Sequence, residues 1–370
     1  MIHNPIKLIQ LFETYGEVYQ PYISPVIQEL KAGTQLHVAV VAFNAHDTVD
    51  FFIPSYKKRL FKEKWYALTH NSRLNYLEIL CLEQQAAIIH VQQSYLFSKI
   101  INLLELPRSQ RPQVVVTLRG GDTYVKPWHS VKWQDFYKNY GHVVAAFVVM
   151  SMHQKNYLHD KWGVSLDRIH VIPISFGQAF DASIKQADRT VIRVVSAFRM
   201  CWEKNIDGNL RTIKLLKARG IPVQYDLYGD GADSGQVYYL IDKYGLHDCV
   251  TYHGRLPNSD LKTRLEGYDF FLQLSHSESL GMSVIEAQSL GLPAIVSNSD
   301  GLPEVVVHNQ TGFCVAPHDS EAAATYLLKL WQNPDLYMQF SQEAIAFSHQ
   351  HFSVETEVDA LHRLYKSLIP

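Results

Sequence analysis

The sequence predicts an α/β protein made of two doubly wound domains, each with a parallel sheet. Apolar runs without strict alternation, such as 36–43 (LHVAVVAF) and 191–198 (VIRVVSAF), indicate strands that are covered on both faces. Polar or helical stretches separate these runs, which is the order of βα units. The chain has 370 residues, of which 47% are hydrophobic, and this length favours two cores over one.

The alternation of predicted strands and helices is interrupted once, by the polar segment 177–190 (GQAFDASIKQADRT). Strands are predicted to begin at Leu36, Ala86, Gln113, Val143 and Ile169 before this segment, and at Val191, Pro222, Cys249, Asp269 and Pro293 after it. We therefore expect one domain at 1–178 and another at 190–345. In open α/β sheets ligands bind beyond the carboxyl ends of the strands, so the residues that follow each strand are the site candidates.

Charge and cysteine content narrow the class of protein. The net charge of −2 argues against a dedicated nucleic-acid binder. Up to Phe180 there are 18 Lys and Arg against 13 Asp and Glu, and after it 16 against 23, which suits two domains with different partners. The four cysteines show no zinc spacing, and we find neither a signal peptide nor a membrane-spanning run. A soluble protein in a reducing cytoplasm is expected.

Two cations follow the strand at 191–198. Arg199 and Lys204 are five positions apart at the strand end, where they can face one anion, and a diphosphate is the obvious candidate. The alternative is a pair of surface charges that bind Glu203 and Asp207. Further on, Gly229 and Gly231 permit close backbone approach of a ligand, although a G-x-G is also typical of a simple turn.

Glu278 lies in a loop, 276–281, after the predicted strand 269–275. A helix is predicted from Met282 to Leu290, with Gly291 as its stop. The backbone N–H groups of Leu280, Gly281 and Met282 then form a helix N-terminus, which is a ready anion site.

Glu286 falls inside that helix among apolar residues. An unpaired buried carboxylate is costly, so Glu286 needs a hydrogen-bond donor, and sugar hydroxyls would serve. The alternative is that Ser283, Glu286 and Ser289 form one solvated stripe.

The ordered set of motifs from Arg199 to about Pro317 resembles the nucleotide-sugar domain of GT-B glycosyltransferases, specifically the retaining GT4-like family. That family carries an Arg and a Lys five residues on, a G-x-G, an E-x7-E and a GG-x-x-E segment. This chain has Arg199 and Lys204, Gly229 and Gly231, HGRL at 253–256, Glu278 and Glu286, SDGLPEVV at 299–306 and NQTGFCVAP at 309–317.

The resemblance implies two Rossmann-like domains that face a central cleft, and a last helix, 346–370, that crosses back to the first domain. It also implies roles for single residues. Arg199 and Lys204 would bind the donor diphosphate, Glu278 the hydroxyls of the transferred sugar, and Glu286 the ribose hydroxyls. The Ser279–Met282 backbone would contact sugar or phosphate, Gly229 and Gly231 would line the donor site, and the Arg255 region would lie near the base.

The resemblance predicts no metal and no cofactor beyond the nucleotide-diphosphate sugar. Two cations and a helix N-terminus can stabilise the departing diphosphate. No D-x-D motif occurs in the sequence, which disfavours a metal-dependent GT-A enzyme.

The first half resembles the family more loosely. TLRGGD at 117–122 resembles T-F-H-G-x-D with Arg119 in place of the His, which makes Asp122 a catalytic candidate and Arg119, Gly120 and Gly121 a candidate acceptor loop. The alternative is a structural Arg119–Asp122 pair in a glycine turn.

Gln92 stands where a second His is common, and GEVYQPYISP at 16–25 replaces a Gly-rich donor loop. No general base stands out, with His90, His129, His153 and His276 as loose candidates, and the leaving phosphate can itself take the acceptor proton.

The basic stretch 55–77 mixes cations with Phe61, Trp65 and Tyr66 on a predicted helix. Such a helix can lie on an anionic membrane surface, and the alternative is an ordinary solvated face. Contact with the inner face of the cytoplasmic membrane would agree with a lipid-linked acceptor.

These observations predict a retaining glycosyltransferase that moves a sugar from a nucleotide-diphosphate sugar to a saccharide or lipid-linked saccharide, in surface polysaccharide assembly. A GT-B epimerase or hydrolase is one alternative, and it would rely on Asp122. A catalytically silent GT-B subunit that binds a partner is another, and Arg119 in place of the His is its best support. The base, the sugar and the linkage depend on pocket shape.

Overall fold

The chain divides into two compact units, residues 1–173 with 357–370 and residues 174–356. The computed structural model describes residues 5–16, 21–177, 182–186 and 190–369. Parts of two predicted segments, 17–20 of the N-terminal loop and 178–181 and 187–189 of the linker, lie outside the described residues.

The first unit has one parallel sheet. Among its described residues, seven strands pair in the order β3-β2-β1-β4-β5-β6-β7. The strands are β1 (Ile6–Leu11), β2 (Leu36–Ala42), β3 (Phe51–Phe52), β4 (Ile88–Val91), β5 (Gln113–Thr117), β6 (Ala146–Val149) and β7 (Ile169–Val171). The chain builds one side of the sheet and then returns past β1 to build the other, so the strand order reverses between β1 and β4.

Helices cover this sheet and bury its apolar strands. They are α1 (Ile23–Ala32), α2 (Tyr56–His70), α3 (Tyr76–Glu83), α4 (Ile101–Glu105), α5 (Gly121–Tyr124), α6 (Lys126–His129), α7 (Val131–Tyr140) and α8 (Met152–Trp162). The strands β4, β5 and β6 are Val- and Ile-rich, as parallel strands buried on both faces are. Aromatic residues fill the core beside them, and the rings of Phe97 and Phe136 stack 4.0 Å apart.

The second unit repeats this plan. In the part of it that the structure describes, six parallel strands pair in the order β10-β9-β8-β11-β12-β13. The strands are β8 (Ile192–Ala197), β9 (Val223–Tyr228), β10 (Val250–Gly254), β11 (Phe270–Gln273), β12 (Ala294–Ser297) and β13 (Gly312–Val315). The helices are α9 (Ile206–Ala218), α10 (Ser234–Tyr244), α11 (Asn258–Leu265), α12 (Met282–Ser289), α13 (Ser320–Gln332) and α14 (Pro334–Phe352).

The strand order reverses between β8 and β11. Because β8, β9, β11 and β12 pair in parallel, the segments that follow these strands meet at one edge of the sheet.

The end of the chain differs from the predicted single helix at 346–370. A last helix, α15 (Val354–Leu368), follows α14 after one extended residue, Ser353, with ψ 162°. The Ser353 hydroxyl accepts a hydrogen bond from the Thr356 N–H at 3.2 Å and so caps α15. Residues 357–370 belong to the first unit. Within the described ranges, no helix combines the length and the apolar character that crossing a membrane requires.

Candidate active site

Glu278 and Lys204 form an ion pair at the carboxyl edge of the second sheet. Both side chains are largely shielded from solvent, with 15% and 14% of their surface exposed. Gln273, the last residue of β11, donates from Nε2 to the same Glu278 Oε2 at 2.9 Å. The carboxylate is therefore held by one cation and one amide. The alternative pairing of Lys204 with surface acids is wrong, because its partner is Glu278.

The loop that carries Glu278 is tied to its neighbours on both sides. The Ser277 hydroxyl and the Glu278 N–H donate to Asp300 Oδ2 at 2.6 and 3.2 Å, and the Gly301 N–H donates to the Glu278 carbonyl at 2.9 Å. On the other side, the His276 N–H donates to the Glu203 carbonyl at 2.7 Å. These bonds fix the backbone of the loop, which is the preorganisation that a binding site needs.

Arg199 belongs to the same electrostatic cluster. The Cys201 side chain, which is hydrogen-bonded to Arg199, raises the pKa of the guanidinium, and the charges of Glu203 and Glu278 raise it further. The Arg199 side chain is exposed at the strand end. The structure thus brings the two predicted cations and one predicted carboxylate together.

The two glycines at 229 and 231 are required by the packing of two loops. A Cβ on Gly229 would lie 1.9 Å from the carbonyl oxygen of Phe198, and one on Gly231 would lie 2.2 Å from that of Met200. Gly229 also has φ +124°. The loop after β8 therefore passes directly over the loop after β9, and this close approach holds the Arg199 segment in place. Direct contact of either glycine with a donor stays a prediction.

Helix α12 begins beside Glu278. Its N-cap, Gly281, has φ +99°, and a Cβ there would lie 2.7 Å from Leu302 Cδ2. The N–H groups of Val284 and Ile285 donate to the Gly281 carbonyl at 3.0 and 3.2 Å. The first N–H groups of a helix lack partners inside the helix, so the start of α12 presents donors at the same sheet edge. The loop residues Ser279 and Leu280 lead into it, and Leu280 is buried.

Glu286 lies in the middle of α12 and is only 6% exposed. Its Oε1 accepts a hydrogen bond from Asn258 Nδ2 at 2.9 Å. Burial raises the pKa of Glu286, and the nearby Lys262 charge and the Asn258 bond oppose that rise. The alternative, a solvated stripe that includes Glu286 and Ser289, is wrong, since both residues are buried.

Asn258 and Lys262, both on α11, are the partners that sequence reasoning missed. Lys262 is buried, its Nζ donates to the Phe176 carbonyl at 2.7 Å, and burial lowers its pKa while Glu286 raises it. A spacing of four places both residues on one helix face. In the sequence this segment, NSDLKTRL, is typical of a surface helix. Arg255 lies three residues before Asn258, on the exposed segment between β10 and α11.

A cavity of about 610 Å³ opens beside these loops and is lined by Trp202, Asn205, His276 and His318 among others. Lys204, Glu278 and Glu286 are not among its lining residues. The cavity therefore neighbours the predicted donor site without coinciding with it.

In the first unit, Asp122 has its carboxylate engaged inside its own turn. It is 5% exposed, and it accepts hydrogen bonds from the Ser94 hydroxyl at 2.6 Å and from the Arg119 and Gly120 N–H groups at 3.0 Å each. The Arg119–Asp122 contact is thus made by the backbone of Arg119. This geometry favours a structural role for Asp122. Gly120, with φ +113°, makes the turn, and Gly121 begins α5.

The Arg119 guanidinium points to Gln92. It donates to the Gln92 side-chain oxygen at 3.1 Å, and it lies 5.7 Å from the centre of the Tyr22 ring, within reach of a cation–π contact. Gln92 and Arg119 each stand at a position where the GT4-like family commonly has a His. The two substituted residues are therefore in contact with each other. This pairing was not visible in the sequence, because the two residues lie 27 positions apart.

His90 belongs to a buried polar network behind Gln92. Its Nδ1 lies 2.6 Å from the Tyr365 hydroxyl, and its Nε2 lies 2.6 Å from the Thr117 hydroxyl. The Gln10 side chain also donates to Tyr365, at 3.0 Å. Burial, with the Arg119 charge, lowers the pKa of His90 to about 3. The network bonds α15 to the sheet of the first unit.

The match to a family model bears on the second unit. Residues 178–347 match the model of the family Glycosyl transferases group 1. The amylovoran biosynthesis glycosyltransferase AmsK of Erwinia amylovora is 29% identical over 161 residues, which are 42% of this chain and 40% of AmsK. The match thus spans less than half the length of this curated relative.

Two solved structures align with nearly the whole chain. A glycosyltransferase of Rickettsia africae aligns over 99% of both chains with a TM-score of 0.74 at 16% identity. Anabaena HepE, solved in complex with UDP and glucose, aligns over 98% of this chain and 100% of its own with a TM-score of 0.72 at 15% identity. The fold is GT-B. At these identities the likeness establishes the fold alone.

The GT-B fold with two Rossmann-like domains is therefore confirmed. The family model and AmsK also support a transferase enzyme. The motif residues Arg199, Lys204, Gly229, Gly231, Glu278 and Glu286 all lie inside the matched range.

Proposed function

We propose that this protein is a retaining, GT4-like glycosyltransferase that takes its sugar from a nucleotide-diphosphate sugar. The observation that carries the proposal is the cluster of Lys204, Glu278 and Arg199 at the carboxyl edge of the second sheet, with Glu286 buried in α12, the helix that follows Glu278 in the chain. A nucleotide sugar has two anionic phosphates between two sets of hydroxyls. The site offers cations and helix N–H groups between two carboxylates, which is the complementary pattern.

In this proposal the diphosphate binds Arg199, Lys204 and the start of α12. Lys204 is paired with Glu278, so the donor phosphate competes with Glu278 for this cation. Glu278 is then available to accept hydrogen bonds from the hydroxyls of the sugar. Glu286, oriented by Asn258, accepts hydrogen bonds from the ribose hydroxyls. Binding at both ends of the donor positions the anomeric carbon between them.

The transfer step balances with these groups alone. The bond between the anomeric carbon and the phosphate oxygen breaks, and the acceptor oxygen forms a new bond to the same face of that carbon. The acceptor proton passes to the departing phosphate oxygen. Arg199, Lys204 and the helix N–H groups stabilise the negative charge that develops on the diphosphate, so the proposal assigns this task to no metal and no cofactor.

We propose a saccharide or lipid-linked saccharide as acceptor, in polysaccharide assembly at the inner face of the cytoplasmic membrane. The similarity to AmsK, which is named for amylovoran biosynthesis, supports this setting. HepE was solved with UDP and glucose, which makes a UDP-sugar the first donor to test.

A thermal-shift panel of UDP, GDP, ADP and CMP at about 1 mM tests the donor site directly. A ligand at about 100 times its Kd stabilises the fold by about 2.7 kcal/mol, which raises the melting temperature measurably. We expect one nucleotide diphosphate to stand out, with UDP first. If a well-folded sample shows no shift with any of the four, the donor assignment is wrong.

The structure weighs on the two alternatives in different ways. An epimerase or hydrolase would use Asp122. Its carboxylate, however, already accepts hydrogen bonds from the Ser94 hydroxyl and from the backbone N–H groups of Arg119 and Gly120. A silent subunit remains the second candidate, favoured by Arg119 and its contact with Gln92. Nucleotide binding without any hydrolysis or transfer of the matching nucleotide sugar would favour that reading.

A further inference from the structure

The outer side of α2 exposes three large apolar side chains to solvent. Phe61 is 77% exposed, Trp65 57% and Leu68 86%. They lie at positions i, i+4 and i+7, so they form one stripe along the helix. Isolated exposed apolar residues are ordinary, but a contiguous stripe marks a surface that another body covers.

The inner side of α2 is fixed to the protein, so the stripe is held in place. Glu63 Oε1 accepts a hydrogen bond from the Tyr76 N–H at 2.9 Å, at the start of α3. Lys62 pairs with Glu83 at the end of α3 and lies 5.0 Å from the centre of the Tyr76 ring. The helix is thus attached to α3 along one side and presents the stripe on the other.

Lysines flank the stripe on both sides. Lys57, Lys58 and Lys64 are exposed and lie on the same outward surface as Phe61 and Leu68. The sequence of α2 contains one acid, Glu63, and its carboxylate is bonded to α3. The outer face of α2, meaning Lys57, Lys58, Phe61, Lys64, Trp65 and Leu68, is therefore apolar along its centre and positive at its margins.

We propose that the outer face of α2 docks on the surface of an anionic lipid bilayer. Apolar side chains at the centre enter the headgroup region, and long lysine side chains reach anionic headgroups at its margins. A stable protein interface takes about 800 Å² from each partner, and three side chains on one convex helix offer only a fraction of that. A flat bilayer suits this shape, and the uniform positive charge suits anionic lipid.

The inference deepens the proposed contact with the membrane and rests on that part of the proposed function. It needs no nucleotide and no sugar transfer. Its failure would therefore leave the donor-site proposal untouched, and the failure of the nucleotide panel would leave this surface untouched.

Vesicle sedimentation of the full chain is the test, with phosphatidylcholine vesicles compared with vesicles that contain 30% phosphatidylglycerol. We expect binding to the anionic vesicles that weakens in high salt. Each lysine near the surface contributes about a fivefold gain in partitioning, so K57Q/K58Q/K64Q is expected to bind about a hundredfold more weakly. F61S/W65S/L68S is expected to lose at least about tenfold.

Tyr238 and Tyr239, on α10 of the second unit, provide the matched control. They are 63% and 62% exposed, so Y238S/Y239S removes a comparable exposed apolar pair elsewhere, and we expect it to bind like the wild type. Melting temperatures show that each variant is folded. In vesicles with brominated lipid, we expect fluorescence quenching that W65F reduces while it keeps the binding.

Three outcomes would overturn the proposal. The first is no sedimentation of the folded wild type with anionic vesicles at low salt. The second is equal binding by the wild type and by F61S/W65S/L68S, which would place the lipid contact elsewhere. Self-association of the wild type that this variant abolishes, without vesicle binding, would assign the face to a second copy of the chain and likewise overturn it.

Discussion

The two sheets have the same plan, but their carboxyl edges hold different chemistry. In the second unit, Lys204 and Glu278 form an ion pair with Arg199 in the same electrostatic field, and in our proposal the donor phosphate opens this pair. In the first unit, the polar groups bond each other: Asp122 is held by its turn, and His90 is held by Thr117 and Tyr365. One topology can thus support either an exchangeable site or a fixed network, and the side chains after the strands decide which.

The largest expected effect comes from comparing one glycine in each unit. Gly229→Ala places a Cβ against the Phe198 backbone at a positive φ, so we expect a loss of about 3 kcal/mol in the free energy of unfolding. Gly121→Ala meets no atom within 4 Å, and we expect a change of less than about 0.5 kcal/mol. Denaturant unfolding measures both. Equal losses would show that loop packing does not distinguish the two edges.

Removal of the Glu278 charge tests whether the ion pair is exchangeable. Glu278→Gln is expected to lower turnover about a hundredfold, because the sugar loses its positioning. Binding of the free nucleotide is expected to hold or tighten, because Lys204 loses its competing partner. Calorimetry and steady-state kinetics separate the two effects. A variant that loses nucleotide binding and keeps turnover would contradict the assigned role.

The buried histidine of the first unit gives a pH-dependent test. The pKa of His90 is lowered to about 3, so the unfolded chain binds a proton that the folded protein does not as pH falls below about 6.5. The His90 contribution is fully present above that pH and is lost as pH falls, by about 2 kcal/mol at pH 5. Unfolding at pH 7 and pH 5 should show this extra loss in the wild type relative to His90→Gln. The same loss in both proteins would place the titrating group elsewhere.

The buried carboxylate of Glu286 is expected to give a pH dependence of stability with the opposite sign. The pKa of Glu286 is raised by burial, so the folded protein binds the proton more tightly than the unfolded chain. Stability is therefore lost as pH rises from about 4.5 through the raised pKa, and Glu286→Gln is expected to remove this slope.

Nucleotide binding by the wild type should weaken as pH falls through the same window, because the protonated carboxyl accepts fewer hydrogen bonds.

The smallest effect is expected at the residue that orients Glu286. Asn258→Ala removes one hydrogen bond to this carboxylate and is expected to weaken nucleotide binding about fivefold. Ser259→Ala, at the next position of α11, provides the matched control and should bind like the wild type. Titration calorimetry compares the three proteins, and an effect of Ser259→Ala equal to that of Asn258→Ala would argue against a specific role for the amide.

The sequence predicts the fold and the motif positions better than the partners of the motif residues. The strands β8 to β12 all coincide with predicted strands, and the order of the motifs leads to the GT-B fold. The strand β1 (IKLIQL) is absent from the predicted strands, because Lys7 and Gln10 interrupt its apolar pattern.

Contacts that depend on the folded structure explain what could not be predicted from the sequence. Gln273 lies only five positions before Glu278, but the sequence shows it as one residue of a buried strand, and its amide reaches Glu278 because it ends that strand. Asn258 and Glu286 lie 28 positions apart, and Gln92 and Arg119 lie 27 apart. Such pairs depend on which strand ends and helices are neighbours, and one sequence does not fix that register.

UDP binding to three proteins is the most direct test of the contrast between the two sheet edges. Charge-assisted hydrogen bonds contribute about 1.5–3 kcal/mol each, so Arg199→Ala/Lys204→Ala is expected to bind UDP at least about a hundredfold more weakly than the wild type. Arg119→Ala, which removes a cation from the other edge, is expected to bind UDP like the wild type. Loss of UDP binding in Arg119→Ala, with full binding in the double variant, would contradict the account and place the nucleotide in the first unit.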